Sequence, residues 1–213
     1  MKIAGTDMTV GDLKEKDFNY PAPLDMTNIS VNYDTEWLER YKKTGDFGSV
    51  FLDNVKQALK TSEPGFSFNF YEKENETLRN ACTEVTSEDD SDVCNLGSLN
   101  LATIESKEEL EIVVDLATKF LICGTLVADL PYEKIYEVRN KNRRLGLGLM
   151  GVHEWLLKRN YRYEVTPELH EWLSIYKNKS NFTSRRYSDK LGISRPVAVR
   201  AIAPTGTIGI LAG

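Results

Sequence analysis

The chain has little with which to hold a metal cluster, cross a membrane or grip a nucleic-acid polymer. Only two histidines and three cysteines occur in 213 residues. The cysteines lack the short spacing of a zinc pair and no histidine lies near them, so no metal site is expected. His153 and His170 each open a His-Glu-Trp-Leu segment, but four residues on stand Leu157 and Ser174, which excludes the paired-histidine helix of metalloproteases. The apolar run Phe120–Val127 is far too short to span a bilayer, so no membrane partner is expected. No signal-peptide pattern opens the chain, and the scarcity of cysteine suits a reducing, cytoplasmic setting. A net charge of −5 provides no attraction for DNA or RNA.

What is present is ordinary for a globular protein: 41% hydrophobic and 28% charged residues, enough for one sizeable core or two small ones. Neither a linker nor an internal repeat stands out. Residues 1–26 read as a loop, with Pro21 and Pro23 leading into a short strand near Thr27–Val31. Asp34 is a helix N-cap and Gly45 its stop. A second helix runs over 47–61 with Val50, Phe51, Val55 and Leu59 as its apolar face. Phe66-Ser67-Phe68-Asn69-Phe70 alternates as a half-buried strand should. Ser106 caps a helix from Lys107 to about Val127, with Cys123 read as core. Pro131 opens a helix ending in Lys141–Arg144. Helices over 152–159 and from Thr166-Pro167 to Leu191 follow, the latter stopped by Gly192, and Val197–Ala203 reads as a strand.

The densest chemistry lies in Asn80-Ala81-Cys82-Thr83-Glu84, with Cys94 twelve residues after Cys82. In an extended or loop segment alternate side chains share a side, so an amide, a thiol and a carboxylate would converge on one small molecule. A buried, inert Cys82 is the competing reading. The acidic run Glu88–Asp92 is read as a solvated turn.

Two segments look nucleotide-like. Gly146-Leu147-Gly148-Leu149-Met150-Gly151 matches the dinucleotide-binding glycine pattern letter for letter, but that fingerprint needs a buried strand just upstream. The charged stretch Glu137–Arg144 stands there instead, and the glycines are better read as permitting tight packing where the chain enters the next helix. A nicotinamide-dependent oxidoreductase using Gly146, Gly148 and Gly151 is the rival this leaves. Ala203-Pro204-Thr205-Gly206-Thr207-Ile208 is the better phosphate candidate: two hydroxyls flank a permissive glycine at a helix start. It lacks a Walker lysine, so ATP hydrolysis is not implied.

Together, Asn80–Glu84, Cys94-Asn95-Leu96-Gly97-Ser98-Leu99-Asn100-Leu101, Asn142–Gly148 and Ala203–Ile208 resemble, in this order, the catalytic subunit of ribonucleotide reductases. The wording around Cys82 and over Arg195–Gly213 is most similar to the adenosylcobalamin-dependent (class II) group. The resemblance implies an α/β fold, part of a ten-stranded α/β barrel over 27–213, with a finger loop at about 78–95 and a phosphate loop at 203–209. It implies that Cys82 is the thiyl radical that takes the ribose 3′ hydrogen, that Glu84 accepts the 3′-hydroxyl proton and that Asn80 hydrogen-bonds the hydroxyls. Cys94 would be one of two thiols that reduce the ribose and end as a disulfide. Pro204, Thr205, Gly206, Thr207 and Ile208 would hold the phosphates of a ribonucleoside di- or triphosphate.

The resemblance also implies adenosylcobalamin as cofactor, or else a radical supplied by a separate metal-containing subunit, and a thioredoxin- or glutaredoxin-type reductant. It is incomplete. The family's second reducing cysteine lies upstream of the finger loop, and no cysteine precedes Cys82. The chain therefore reads as a middle slice, from a split gene, an intein- or intron-interrupted gene or a truncated chain, and Met1 and the abrupt end at Gly213 favour a split. Its expected partners are the upstream and downstream fragments of the same catalytic chain. The alternative is an inert structural remnant.

Overall fold

The computed structural model describes residues 27–71 and 78–212; the expected loop over 1–26 lies outside them. The chain divides into two compact units after Glu88.

In the first unit, β1 (Ser30–Tyr33) runs parallel to β2 (Gly65–Phe68), joined by helices α1 (Thr35–Thr44) and α2 (Gly48–Thr61). The Asp34 side chain accepts from Trp37 N and Gly45, at φ +71°, stops α1. Both are local choices, a short acceptor before the first turn and a residue without a Cβ after the last. Tyr33, Trp37, Phe51, Phe66 and Phe68 form an aromatic layer, with the Trp37 and Phe51 ring centroids 5.3 Å apart.

Two expectations fail here. Along α2, Val50 and Leu59 point to solvent, Leu59 84% exposed, and the one fully buried side chain is Asn54. Only the Phe51 edge of the predicted apolar face meets the aromatic layer. In the β2 region the alternation is present but its polarity is reversed: Ser67 and Asn69 are buried, while Phe68 on the aromatic side is partly exposed. The polar face is closed by hydrogen bonds, which is how buried polar side chains are retained. Beyond it, β3 (Leu78–Arg79) and β4 (Thr86–Ser87) form a two-pair antiparallel hairpin.

The second unit is built on β5 (Asn95–Asn100) and β6 (Leu145–Met150), parallel and in register from Asn95↔Leu145 to Asn100↔Met150. Between them run a 3-10 turn (Leu101–Thr103), α3 (Lys107–Val127) and α4 (Glu133–Asn142). After them come α5 (Val152–Lys158), α6 (Pro167–Leu191) and α7 (Gly206–Ala212). Ser106 and Thr166 cap α3 and α6 through their side chains and Gly192 ends α6, as the sequence predicts. Leu110, Val114, Leu121 and Ile122 of α3 share one core with Leu145, Leu147, Leu149, Trp155, Leu169, Trp172 and Tyr176. Trp155 is wholly buried and meets Trp172 edge-on, ring centroids 5.1 Å apart.

The described strands make three separate two-stranded sheets, so the fold is helix-rich α/β and no closed barrel forms among the described residues. Val197–Ala203 is not a full strand. It contributes a bridge between Arg200 and Leu147, and the carbonyls of Ala198 and Val199 accept from Leu145 and Leu147 N–H.

Candidate functional site

The Asn80–Glu84 motif occupies the turn of the β3–β4 hairpin. The chain there is not extended: Thr83 N donates to Asn80 O at 3.0 Å, and Thr83 has φ +64°. Asn80 Oδ1 accepts Val85 N–H at 3.1 Å, closing the turn from its own side chain. The segment is therefore the loop form of the expectation and not the extended one. Asn80, Cys82 and Glu84 all lie on this one turn, between β3 and β4. With its carbonyl engaged, half-buried Asn80 has its amide NH2 left as the donor. Cys82 is exposed at the turn, which rules out the inert-core reading. Glu84 is half-buried, and its Oε2 is out of solvent with no hydrogen-bond donor.

The expected finger loop divides between the two units: the hairpin belongs to the first, and Asp89 onward to the second. Cys94 is half-buried just before β5, and a Cβ on Gly146 would lie 3.1 Å from its sulfur. No disulfide joins the three cysteines. Cys123, expected in the core, is exposed, its sulfur 3.6 Å from the Tyr187 hydroxyl on α6. The correction follows from helix geometry. α3 meets β5 through Leu121 and Gly124, next to the Asn95 side chain, and position 123 is turned away by the 3.6-residue repeat.

The acidic run is a turn with Glu88 and Asp90 exposed, as the sequence predicts, but its aspartates are also paired. Asp89 accepts from Lys141 at 2.7 Å and Asn142 at 2.8 Å, Asp90 pairs with Lys134 at 2.5 Å, and Asp92 accepts from Arg144 at 2.8 Å. The hydrogen bond from Lys141, then that from Asn142, holds the Asp89 carboxyl below its usual range. Lys134 at the start of α4, Lys141 and Asn142 at its end and Arg144 beyond it thus receive Asp90, Asp89 and Asp92.

The glycine pattern lies inside a strand. Leu145–Met150 is β6 itself, and Gly146 and Gly148 are interior to it. A Cβ on Gly148 would stand 2.7 Å from the Ala201 carbonyl oxygen, so this glycine admits a neighbouring backbone. Gly151, at φ +69°, begins α5. A dinucleotide fingerprint needs its glycines in the turn after the strand, which is not the arrangement here.

Further along, Arg200 donates to Ser180 Oγ at 2.8 Å and to Asn181 Oδ1 at 2.7 Å, tying the extended segment to α6. Pro204-Thr205 then leads into α7 at Gly206. Thr205 O accepts from Gly209 N, and the amides of Gly206, Thr207 and Ile208 precede this first intrahelical donor. The loop is largely exposed, with Thr205 half-buried. Among the described residues no group of three His, Cys, Asp or Glu side chains gathers to hold a metal ion.

Sequence reasoning missed Arg79. It lies one residue before the motif, and its guanidinium contacts are made to residues ten or more positions away; no local pattern marks such a residue.

Residues 34–192 match the family described as "Ribonucleotide reductase, barrel domain". A protein of Mycobacterium phage D29, named as an adenosylcobalamin-dependent ribonucleoside-triphosphate reductase, is 33% identical over 88% of this chain and 30% of its own length. The vitamin B12-dependent ribonucleoside-diphosphate reductase of Mycobacterium tuberculosis is 28% identical over 79% of this chain and 26% of its own. Among solved structures, the class Id ribonucleotide reductase alpha subunit of Actinobacillus ureae superposes with a TM-score of 0.67 at 20% identity, over 95% of this chain and 44% of that one. The last is a likeness of fold. The chain spans under a third of the length of these two relatives.

Proposed function

The chain belongs to the ribonucleotide reductase barrel-domain family, and on that premise we propose that it carries the central part of a ribonucleotide reductase catalytic chain. The observation that supports this most is the hairpin turn: an exposed thiol at Cys82, the Asn80 side-chain amide and an undonated carboxylate oxygen at Glu84.

In this reading the Cys82 thiyl takes the hydrogen from C3′ of the ribose and becomes a thiol. Glu84 accepts the 3′-hydroxyl proton while the Asn80 NH2 donates to a ribose hydroxyl oxygen. Removing that proton eases loss of the 2′-hydroxyl as water from the neighbouring carbon. Two electrons then come from a pair of thiols that close to a disulfide, and Cys82 returns its hydrogen to C3′ and regains the radical. Cys94 is one of the two thiols. The other comes from a complementary segment, because Cys123 faces α6. The loop Pro204-Thr205-Gly206-Thr207-Ile208 holds the phosphates through the first amides of α7 and the two hydroxyls.

The radical enters from outside these residues. Adenosylcobalamin, as in the names of the D29 and tuberculosis relatives, is one source, and a separate metal-containing subunit is the other. A thiol, an amide and a carboxylate on one turn offer no platform for a corrin, so the steps assigned to the hairpin do not involve one. The same two names divide between triphosphate and diphosphate, so either serves as the substrate to be assayed. A thioredoxin- or glutaredoxin-type protein would reduce the disulfide.

The test is reconstitution. The chain is mixed with the missing upstream and downstream barrel segments, a ribonucleotide, a radical source and a dithiol. Deoxyribonucleotide forms only in the mixture, and Cys82→Ser or Glu84→Gln abolishes it. Turnover by the isolated chain would refute the need for partner segments, and an inert mixture would leave the structural-remnant reading in its place.

A further inference from the structure

We propose that Arg79 is a positioning residue that fixes the thiol-bearing hairpin on the end of β2; the inference rests on reading Cys82 as the radical site. Among the described residues the hairpin has two residue pairs, Leu78↔Ser87 and Arg79↔Thr86. An isolated two-stranded hairpin is marginal in water even when longer, so its own ladder does not hold the turn in one direction. Arg79 supplies the missing constraint. Its Nε donates to Ser67 Oγ at 2.8 Å, and its Nη2 donates to Phe68 O at 2.9 Å and to Asn69 Oδ1 at 2.5 Å.

These acceptors are themselves locked. Ser67 is 3% and Asn69 0% exposed. Asn69 Nδ2 donates to Ser67 Oγ at 3.2 Å and also to Asn32 Oδ1 on β1. The guanidinium therefore reaches the hairpin across to the buried polar face of both strands. This explains why the polarity of the Phe66–Phe70 alternation is reversed: the polar face is the seat for Arg79. All three acceptors are neutral, so the fork-shaped geometry of the guanidinium, and not its charge alone, makes the contact. Lysine, a point charge on a flexible stem, does not reproduce it. Asn80, which closes the turn, is the next residue, so a hairpin loosened at Arg79 displaces the amide, the thiol and the carboxylate together.

Amide hydrogen exchange on the full chain tests this without requiring turnover. Arg79→Ala and Arg79→Lys each lower protection across residues 78–87 by about tenfold, as loss of a few local hydrogen bonds implies, while residues 35–44 and 107–127 exchange as before. Guanidinium ion at low concentration restores the Arg79→Ala hairpin. Wild-type protection at 78–87 in both variants would overturn the proposal, as would an equal loss throughout residues 30–71, which marks a role in general stability. In the reconstituted enzyme Arg79→Lys lowers kcat and leaves KM unchanged; an unchanged kcat, or a KM that rises with the loss, also overturns it. Should the wild-type mixture make no deoxyribonucleotide, the reductase reading fails, and the exchange result still decides the role of Arg79.

Discussion

Arg144 donates through Nε to Asp92 Oδ2 at 2.8 Å, with the two side chains only 14% and 7% exposed. The same carboxylate oxygen accepts from Asn142 Nδ2 at 3.1 Å. Arg144 immediately precedes β6 and Asp92 lies three residues before β5, so the pair stands where Asn95 and Leu145 begin the parallel ladder. A slip of one residue in that ladder would turn the buried leucines of β6 outward, and the clasp opposes it.

Arg144→Ala should therefore lower stability by about 3 kcal/mol, the order found when one partner of a withdrawn ion pair is removed. Urea unfolding followed by tryptophan fluorescence reads this, since Trp155 and Trp172 lie in the same unit. A midpoint like that of the wild type would show that the register is held by other contacts.

The three glycines of the nucleotide-like pattern should differ in their tolerance of alanine. At Gly146 the added Cβ meets the far end of the Leu96 side chain at 2.3 Å, which can move aside. At Gly148 it meets the Ala201 carbonyl oxygen at 2.7 Å, and at Gly151 it meets Asn100 Oδ1 at 2.1 Å in a backbone with φ +69°. The expected loss is smallest for Gly146→Ala and about 1–3 kcal/mol for Gly148→Ala, the range for overpacking; Gly151→Ala loses most, because conformational strain adds to the clash. Equal melting temperatures across the series would contradict the packing role.

The packing of α6 should weaken at both ends of the pH range, against α3 through Asp115 at the acid end and against β6, where the Tyr176 hydroxyl donates to the Leu147 carbonyl, at the alkaline end. Burial pushes the Asp115 carboxyl up, but hydrogen bonds from Lys119 and Thr183 outweigh it and the net position is below the ordinary 3.8. Its contribution is complete above that value and is lost as pH falls through the lower folded value. Burial pushes the Tyr176 phenol up to about 12, against a smaller opposing effect of Arg200. Its contribution is complete below pH 10 and disappears between 10 and about 12. Asp115→Asn should flatten the acid limb of a stability–pH curve and Tyr176→Phe the alkaline limb. A curve of unaltered shape in either variant would remove the assignment.

Alkylation should separate the cysteines. Cys82 and Cys123 are exposed and should react readily with iodoacetamide, while half-buried Cys94 should react more slowly in the native chain. Cys123→Ser should leave turnover of the reconstituted enzyme unchanged, because its sulfur is directed to Tyr187. Loss of activity in that variant would return Cys123 to the list of candidate reducing thiols.

Much of the helical framework was legible from residue order. Asp34, Gly45, Ser106, Thr166 and Gly192 begin or end helices where their chemistry predicts. Each acts on backbone groups within one turn of itself. The thiol motif was legible as a set of residue types, but its conformation was not. Asn80 closes a turn on Val85, and an alternating pattern of amide, thiol and acid does not distinguish a strand from that turn.

What residue order alone determined, then, is the placement of helix ends and the identity of the reactive groups, because those depend on neighbours a few positions apart. The partners of the acidic run, the burial of Ser67 and Asn69 under Arg79, the strand made from a glycine pattern and the outward Cys123 were decided only by tertiary structure. In each case the deciding contact joins residues far apart in the chain, or depends on which helix face finds a partner.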